Sequence, residues 1–285
     1  MKELTIAIGS TISHIGDINK NIAEIEVFAK KAKLDKADLL LTPEMSATGY
    51  GSYDEVIACG EVAGEGRIYK EIRRIANENN LVVCAGFVEK SCNKNFIAHY
   101  IVYPSGDFLV QRKHRVMPNE KPLDEPFKLT SWDNPDNACQ PEHLDLKFFQ
   151  VKGIKTMLSI CADTGINNIE NIMKEQDVRL WLIPTGSGGS REQRFTFEEI
   201  KKEENREKFI DLLNSTMKLG ECCYNAIKHN RAQVAVNICG YDGKKYYHGG
   251  NGSIIDAKGN LVGYTPFFAI LEQQKMAYAV ATLEF

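Results

Sequence analysis

Three side chains of different chemistry each stand just beyond a strand-like run: Glu44 after Leu39-Leu40-Leu41-Thr42-Pro43, Lys113 after Phe108 to Arg112, and Cys161 after Met157-Leu158-Ser159-Ile160. A thiol with a free pKa near ~8.5 is mostly protonated at neutral pH, so it attacks a carbonyl only when a base takes its proton. A carboxylate can be that base, and an ammonium can stabilise the oxyanion that the attack creates. The set would suit acyl transfer from an amide through a thioester, with no histidine required. The three strand ends converge on one cleft if the strands lie in one sheet. Taken singly, each residue has a plainer meaning. Pro43-Glu44 is then a turn with a solvated carboxylate, Lys113 with Arg112, His114 and Arg115 a basic surface loop, and Cys161 a core thiol like Cys84 and Cys239.

The elements that must position these groups follow from periodicity. Leu4 to Ile8 alternates as a strand does, and Ile18, Ile22, Ile25, Phe28, Ala29 and Ala32 recur at helical spacing over residues 18 to 34. Leu39 to Leu41 predicts a buried strand, and a helical stretch near Arg67 to Asn79 leads into the apolar run Leu81 to Ala85. Phe96 to Tyr103 and Phe108 to Arg112 predict two strands joined at Pro104-Ser105-Gly106-Asp107. From His114 to His143 the pattern gives way to Pro, Asp, Asn and Lys, too long for a plain connection and suited to an active-site loop. Beyond it the sequence predicts a strand over Ile154 to Ile160, a helix over Ile166 to Glu175 and a strand over Leu180 to Ile183 closed by Pro184. A charged helical region covers Phe197 to His229, and strands are expected at Val234 to Val236, Gly252 to Asp256, Leu261 to Tyr264 and Met276 to Leu283. Interleaved strands and helices imply an α/β fold of two mixed sheets packed face to face with helices outside.

Composition narrows the function classes. The 285 residues are 43% hydrophobic and 26% charged with a net charge of -3, which fits a single domain over residues 1–285 with a large core. No run of one sign offers a footprint for nucleic acid, and no stretch approaches the ~18 apolar residues of a membrane span. The first residues, MKELTIAIGS, suit a strand better than a signal peptide, so a cytoplasmic location is expected. Eight cysteines without a Cys-x-x-Cys pair suggest reduced thiols, although Cys222-Cys223 could form a redox pair. Six histidines without metal-binding spacing give a bound metal or other cofactor no support.

Leu41-Thr42-Pro43-Glu44-Met45-Ser46-Ala47-Thr48-Gly49-Tyr50, Gln111-Arg112-Lys113-His114 and Ser159-Ile160-Cys161-Ala162-Asp163 are similar, in that order, to the three signatures of the nitrilase (carbon–nitrogen hydrolase) superfamily. The resemblance continues through Ala235 to Gly240 and Gly249 to Ser253. It implies a four-layer αββα sandwich, a Glu44–Lys113–Cys161 triad, substrate contacts from Ala162 and Tyr50, and a homodimer or larger even assembly. The family uses a second glutamate after the lysine. The loop Pro118-Asn119 to Asp124-Glu125 resembles that of glutaminase domains in glutamine-dependent NAD synthetases, which makes Glu125 the first candidate and Glu120 its competitor. Asp163 two places after the cysteine resembles amidase branches more than nitrile-cleaving ones, and points to a small-molecule amide substrate. The stretch after Cys161, and Cys222-Cys223-Tyr224-Asn225, depart from the usual pattern, which leaves the substrate side chain open. Nitrile or N-carbamoyl amine hydrolysis, a non-catalytic amide-binding subunit, and an isochorismatase-like enzyme using Asp17 or Asp38 are the competing readings.

Overall fold

The structure, a computed structural model, describes residues 2–124, 144–216 and 219–285. One mixed sheet contains β1 (Glu3–Ser10), β2 (Leu39–Leu41), β3 (Val82–Ser91), β4 (Lys94–Val102), β5 (Phe108–Arg112) and, from the far end of the chain, β13 (Ala277–Glu284), in the order β13-β1-β2-β3-β4-β5. The second holds β6 (Phe148–Val151), β7 (Ile154–Leu158), β8 (Leu180–Thr185), β9 (Ala232–Asn237), β10 (Cys239–Tyr241) and β11 (Tyr247–Ile255), ordered β10-β11-β9-β8-β7-β6, with β12 (Leu261–Phe267) also on β11. Parallel pairing is confined to the middle of each, β1-β2-β3 and β7-β8-β9. These are the strands whose sequences are apolar on both faces, as a doubly covered strand requires.

Alternation along the strands sorts the core into layers. Ile6, Ile8, Leu39 and Leu41 face Leu158, Leu182, Val234 and Ile254 across the gap between the sheets. On the outer side Leu40, Val83 and Phe87 pack under Phe28 and Ala29 of α1 (Ile18–Leu34) and Ile68, Ile72 and Ile75 of α3 (Arg67–Asn79). Each fully buried side chain of this size contributes about 2 kcal/mol over an exposed one. Asp17 opens α1 by accepting the Lys20 N–H, and Asn80, in the left-handed region at φ 51°, closes α3. Between them lies the short α2 (Asp54–Ala58). The second sheet is covered by α4 (Ile169–Glu175), whose Ile169 and Met173 pack on Met157, Trp181 and Ile183. The charged region forms α5 (Phe197–Ile200), α6 (Arg206–Thr216) and α7 (Leu219–His229), the last lying against β9 and β11. The order of layers is helix, sheet, sheet, helix. Among the described residues no helix is long and apolar enough to cross a membrane.

Several expectations need correction. β7 stops at Leu158, and Cys161–Gly165 forms a 3-10 turn, so α4 begins at Ile169 rather than Ile166. Pro184 does not close its strand. It sits opposite Val236 inside a parallel ladder that runs on to Thr185. The three strands that lead to Glu44, Lys113 and Cys161 do not share a sheet either. β2 and β5 belong to the first, and β7 to the second.

Candidate active site

Glu44 leaves β2 through a tight turn in which Met45 adopts φ 53°. The turn is admitted by Gly86 on β3, where a Cβ would come within 2.1 Å of the Met45 nitrogen and 2.9 Å of the Glu44 carbonyl carbon. Ser46 Oγ accepts the Gly86 N–H at 3.1 Å, and the Glu44 N–H crosses to the other sheet to reach Thr185 O at 3.3 Å. Lys113 is held by its own N–H on Ile97 O, at 2.8 Å. Cys161 begins the 3-10 turn at φ 49°, a strained value for a residue with a Cβ, which lifts its thiol off the line of β7.

The side chains meet in one buried cluster. Lys113 Nζ donates to Glu44 Oε1 at 2.7 Å and to Glu120 Oε1 and Oε2 at 2.6 and 2.7 Å. All three residues are at most 1% exposed, which excludes the surface-loop reading of Lys113 and the solvated-turn reading of Glu44. The second glutamate in the cluster is Glu120, on the 3-10 turn Pro118–Glu120, where the Met117 N–H also donates to its Oε2 at 2.7 Å. Glu125 lies outside the described residues, as do Trp132 and His143. The Tyr50 O–H donates a hydrogen bond to Glu120 Oε1 at 2.7 Å, and its ring packs on Gly186, where a Cβ would stand 2.2 Å from the ring. Ala162 follows the thiol on the 3-10 turn, with its backbone N–H next in the chain.

Charge and burial set the resting protonation. Burial, opposed by Lys113 and reinforced by Glu120 and Asp163, holds the Glu44 carboxyl above the usual carboxylate range. Burial works against the Lys113 ammonium, but Glu44, Cys161 when ionised, and Glu120 keep it above the ordinary lysine range. Burial and Glu44 push the Cys161 thiol up to about 12, with Lys113 and the Gly186 N–H pulling the other way. The resting group is therefore a thiol, and it needs a base. Glu44 Oε2 is buried and, among the described residues, has no hydrogen-bond partner, so one carboxylate oxygen is open. If Glu44 is the base for the thiol, it must be ionised to act. Activity should therefore fall on the acid side with a midpoint in kcat/KM well above the ordinary carboxylate value of 4.5, which a pH profile would check.

The other polar groups singled out in the sequence do structural work. Asp17 caps α1, while Asp38 accepts the Thr5 N–H and pairs with Lys152, so neither joins the cluster. Trp181 is a core anchor whose indole N–H reaches Ser159 Oγ. No disulfide joins Cys222 to Cys223, and Cys84 and Cys239 lie buried in the core as unbridged thiols. Among the described residues no three His, Cys, Asp or Glu side chains are arranged to hold a metal ion.

Comparison with known proteins bears on the family and the fold. The carbon-nitrogen hydrolase family model matches residues 5–271. An amidase from Nesterenkonia sp. superposes with a TM-score of 0.72 at 17% identity, covering 98% of this chain and 90% of that one. A cysteine-to-alanine mutant of that amidase, in complex with butyramide, gives 0.69 at 17% identity over the same shares. A further mutant of it carries the acetamide moiety of fluoroacetamide on its active-site cysteine, with a TM-score of 0.68 at 17% identity and again 98% and 90% coverage. At this identity the likeness is one of fold. A glutamine-dependent NAD(+) synthetase from Acinetobacter baylyi is 27% identical over 210 residues, 72% of this chain and 36% of that protein, so the chain spans about a third of the length of this relative.

Proposed function

We propose, from the premise that this chain belongs to the carbon-nitrogen hydrolase family, that it hydrolyses the C–N bond of a small linear amide through a thioester on Cys161. The observation that carries this reading is the grip of one ammonium on two buried carboxylates, with Glu44 Oε2 left without a hydrogen bond among the described residues. Glu44 takes the thiol proton as sulfur bonds to the carbonyl carbon, and Lys113 and the Ala162 N–H stabilise the oxygen that gains charge. Collapse of the adduct breaks the C–N bond, and Glu44 returns its proton to the leaving ammonia. Water then enters and gives a proton to Glu44 as its oxygen bonds to the carbonyl carbon, the C–S bond breaks to release the acid, and Glu44 returns the proton to the Cys161 sulfur. Glu120, held by Tyr50, keeps Lys113 oriented throughout.

An amide is favoured over a nitrile or an N-carbamoyl amine by the amidases that share the fold. The likeness to the synthetase makes glutamine the first amide to assay. Ammonia release should be greater from a panel of short amides and glutamine than from the matching nitriles and N-carbamoyl amines. A slow amide should leave its acyl mass on the Cys161 peptide. Faster turnover of the nitriles would move the assignment within the family. Binding without ammonia release from any of them would make the chain an amide-binding subunit.

A further inference from the structure

Asp163 is 1% exposed and, beyond its charge beside Glu44, has no step in the chemistry above. Its carboxylate oxygens accept the His114 N–H at 3.0 and 3.1 Å, and Oδ1 accepts the Arg115 N–H at 2.8 Å. His114 Nδ1 stands 3.6 Å from Oδ2. His114 and Arg115 are the two residues that follow Lys113, so a side chain two places beyond the thiol grips the backbone next to the ammonium. A second contact laces the same segments. A Cβ on Gly165 would come within 2.6 Å of Arg115 Nη1, so the absence of a side chain there lets the guanidinium lie against the turn. The turn itself is pinned, with the Asp163 N–H on Ile160 O at 3.0 Å and the Ile166 N–H on Asp163 O at 3.1 Å.

We infer that Asp163 is a positioning residue that ties the Lys113 strand end to the Cys161 turn across the gap between the sheets and so sets the ammonium against the thiol. β5 and β7 lie in different sheets, so their backbone ladders do not fix the distance from Lys113 to Cys161. A carboxylate accepting two successive backbone N–H groups makes strong, charge-assisted bonds and holds both segments in register. The inference rests on the amide-hydrolase reading for its purpose. Its test does not use an amide.

The probe is iodoacetamide, which alkylates the thiolate, with labelling of each cysteine followed by peptide mass across pH. Among the described residues the groups facing Cys161 include Glu44 from the end of β2, Tyr50 from the segment after it, Lys113 from the end of β5, Glu120 from its turn, and the Gly186 N–H. Of these, Lys113 is the charge that favours thiolate. If Asp163 holds Lys113 in place, Asp163→Asn lets the ammonium drift, slows Cys161 labelling at neutral pH by about tenfold and moves the profile about one unit to higher pH. If Asp163 acted only through its charge, losing a carboxylate would favour the thiolate and move the profile to lower pH. The two readings differ in sign.

Cys84 and Cys239, buried in the core, report folding within the same digest and should stay unlabelled. If Asp163→Asn exposes them, Asp163→Glu keeps the charge but lengthens the arm, and it should give the same upward displacement. In a Lys113→Gln background, Asp163→Asn should add no further slowing, because the interaction it acts through is already gone. An unchanged or faster rate in both Asp163 variants, or full additivity with Lys113→Gln, overturns the inference. Slower labelling in a protein that releases ammonia from no amide would leave the positioning role standing and remove the proposed activity.

Discussion

Replacing Cys161 with alanine should cut turnover by about ten-thousand-fold or more while the protein still folds. In the proposed mechanism the sulfur bonds to substrate, and the oxyanion donors and the base alone cannot replace a covalent step. The local fold does not depend on it. Thr164 Oγ1 bonds to the Cys161 carbonyl and the Asp163 N–H to Ile160 O, both of which alanine preserves, and alanine meets φ 49° with the same Cβ. Ammonia release and thermal unfolding, measured together, would check both halves. Substantial turnover by the variant would dismiss the mechanism. So would an acyl adduct on Cys239, whose Sγ lies against the Ser10, Thr11 and Lys275 carbonyls and whose thiol burial pushes up to about 12.

Lys113→Arg should also be nearly inactive, by about a hundred- to a thousandfold in kcat, although the charge is kept. Lys113 is fully buried and its three short bonds use the compact tetrahedral fan of an ammonium. A planar guanidinium is larger, fits the two carboxylates only by displacing one, and adds an overpacking cost of about 1–3 kcal/mol. Steady-state kinetics with a thermal melt would separate the contributions. Retention of most of the activity with an unchanged melt would mean that Lys113 supplies only a diffuse field.

The fold was legible wherever a period ran long enough. Ile22, Ile25, Phe28, Ala29 and Ala32 mark one helix face, and α1 has the expected bounds. β6 and β10, of four and three residues, offer too little alternation to be noticed, whereas the equally short β2 is marked by its unbroken leucine run. Which sheet a strand joins is a long-range property, so the assembly of the cluster from both sheets could not be read locally. The choice between Glu120 and Glu125 was obscure for a related reason. Two carboxylates stood five residues apart in a loop without periodicity, and what brings Glu120 to Lys113 is a single 3-10 turn closed by the Met117 N–H. Asp163 carried a motif position in the sequence, but its partners are backbone groups that no side-chain pattern can announce.

Glu44 and Lys113 ride on one sheet and Cys161 on the other, with Leu39 and Leu41 facing Leu158 and Leu182 between them. The separation of the reacting groups is thus set by the thickness of a hydrocarbon layer as well as by the course of the chain. Near-attack geometry tolerates only ~3–3.5 Å between reacting atoms. Removing methylenes from that layer would let the sheets settle or slide, much as a worn spacer lets two machine parts lose alignment. The rate would then record wear in the spacer before the melting temperature did, and residues with no contact to substrate would behave in kinetics as though they belonged to the site.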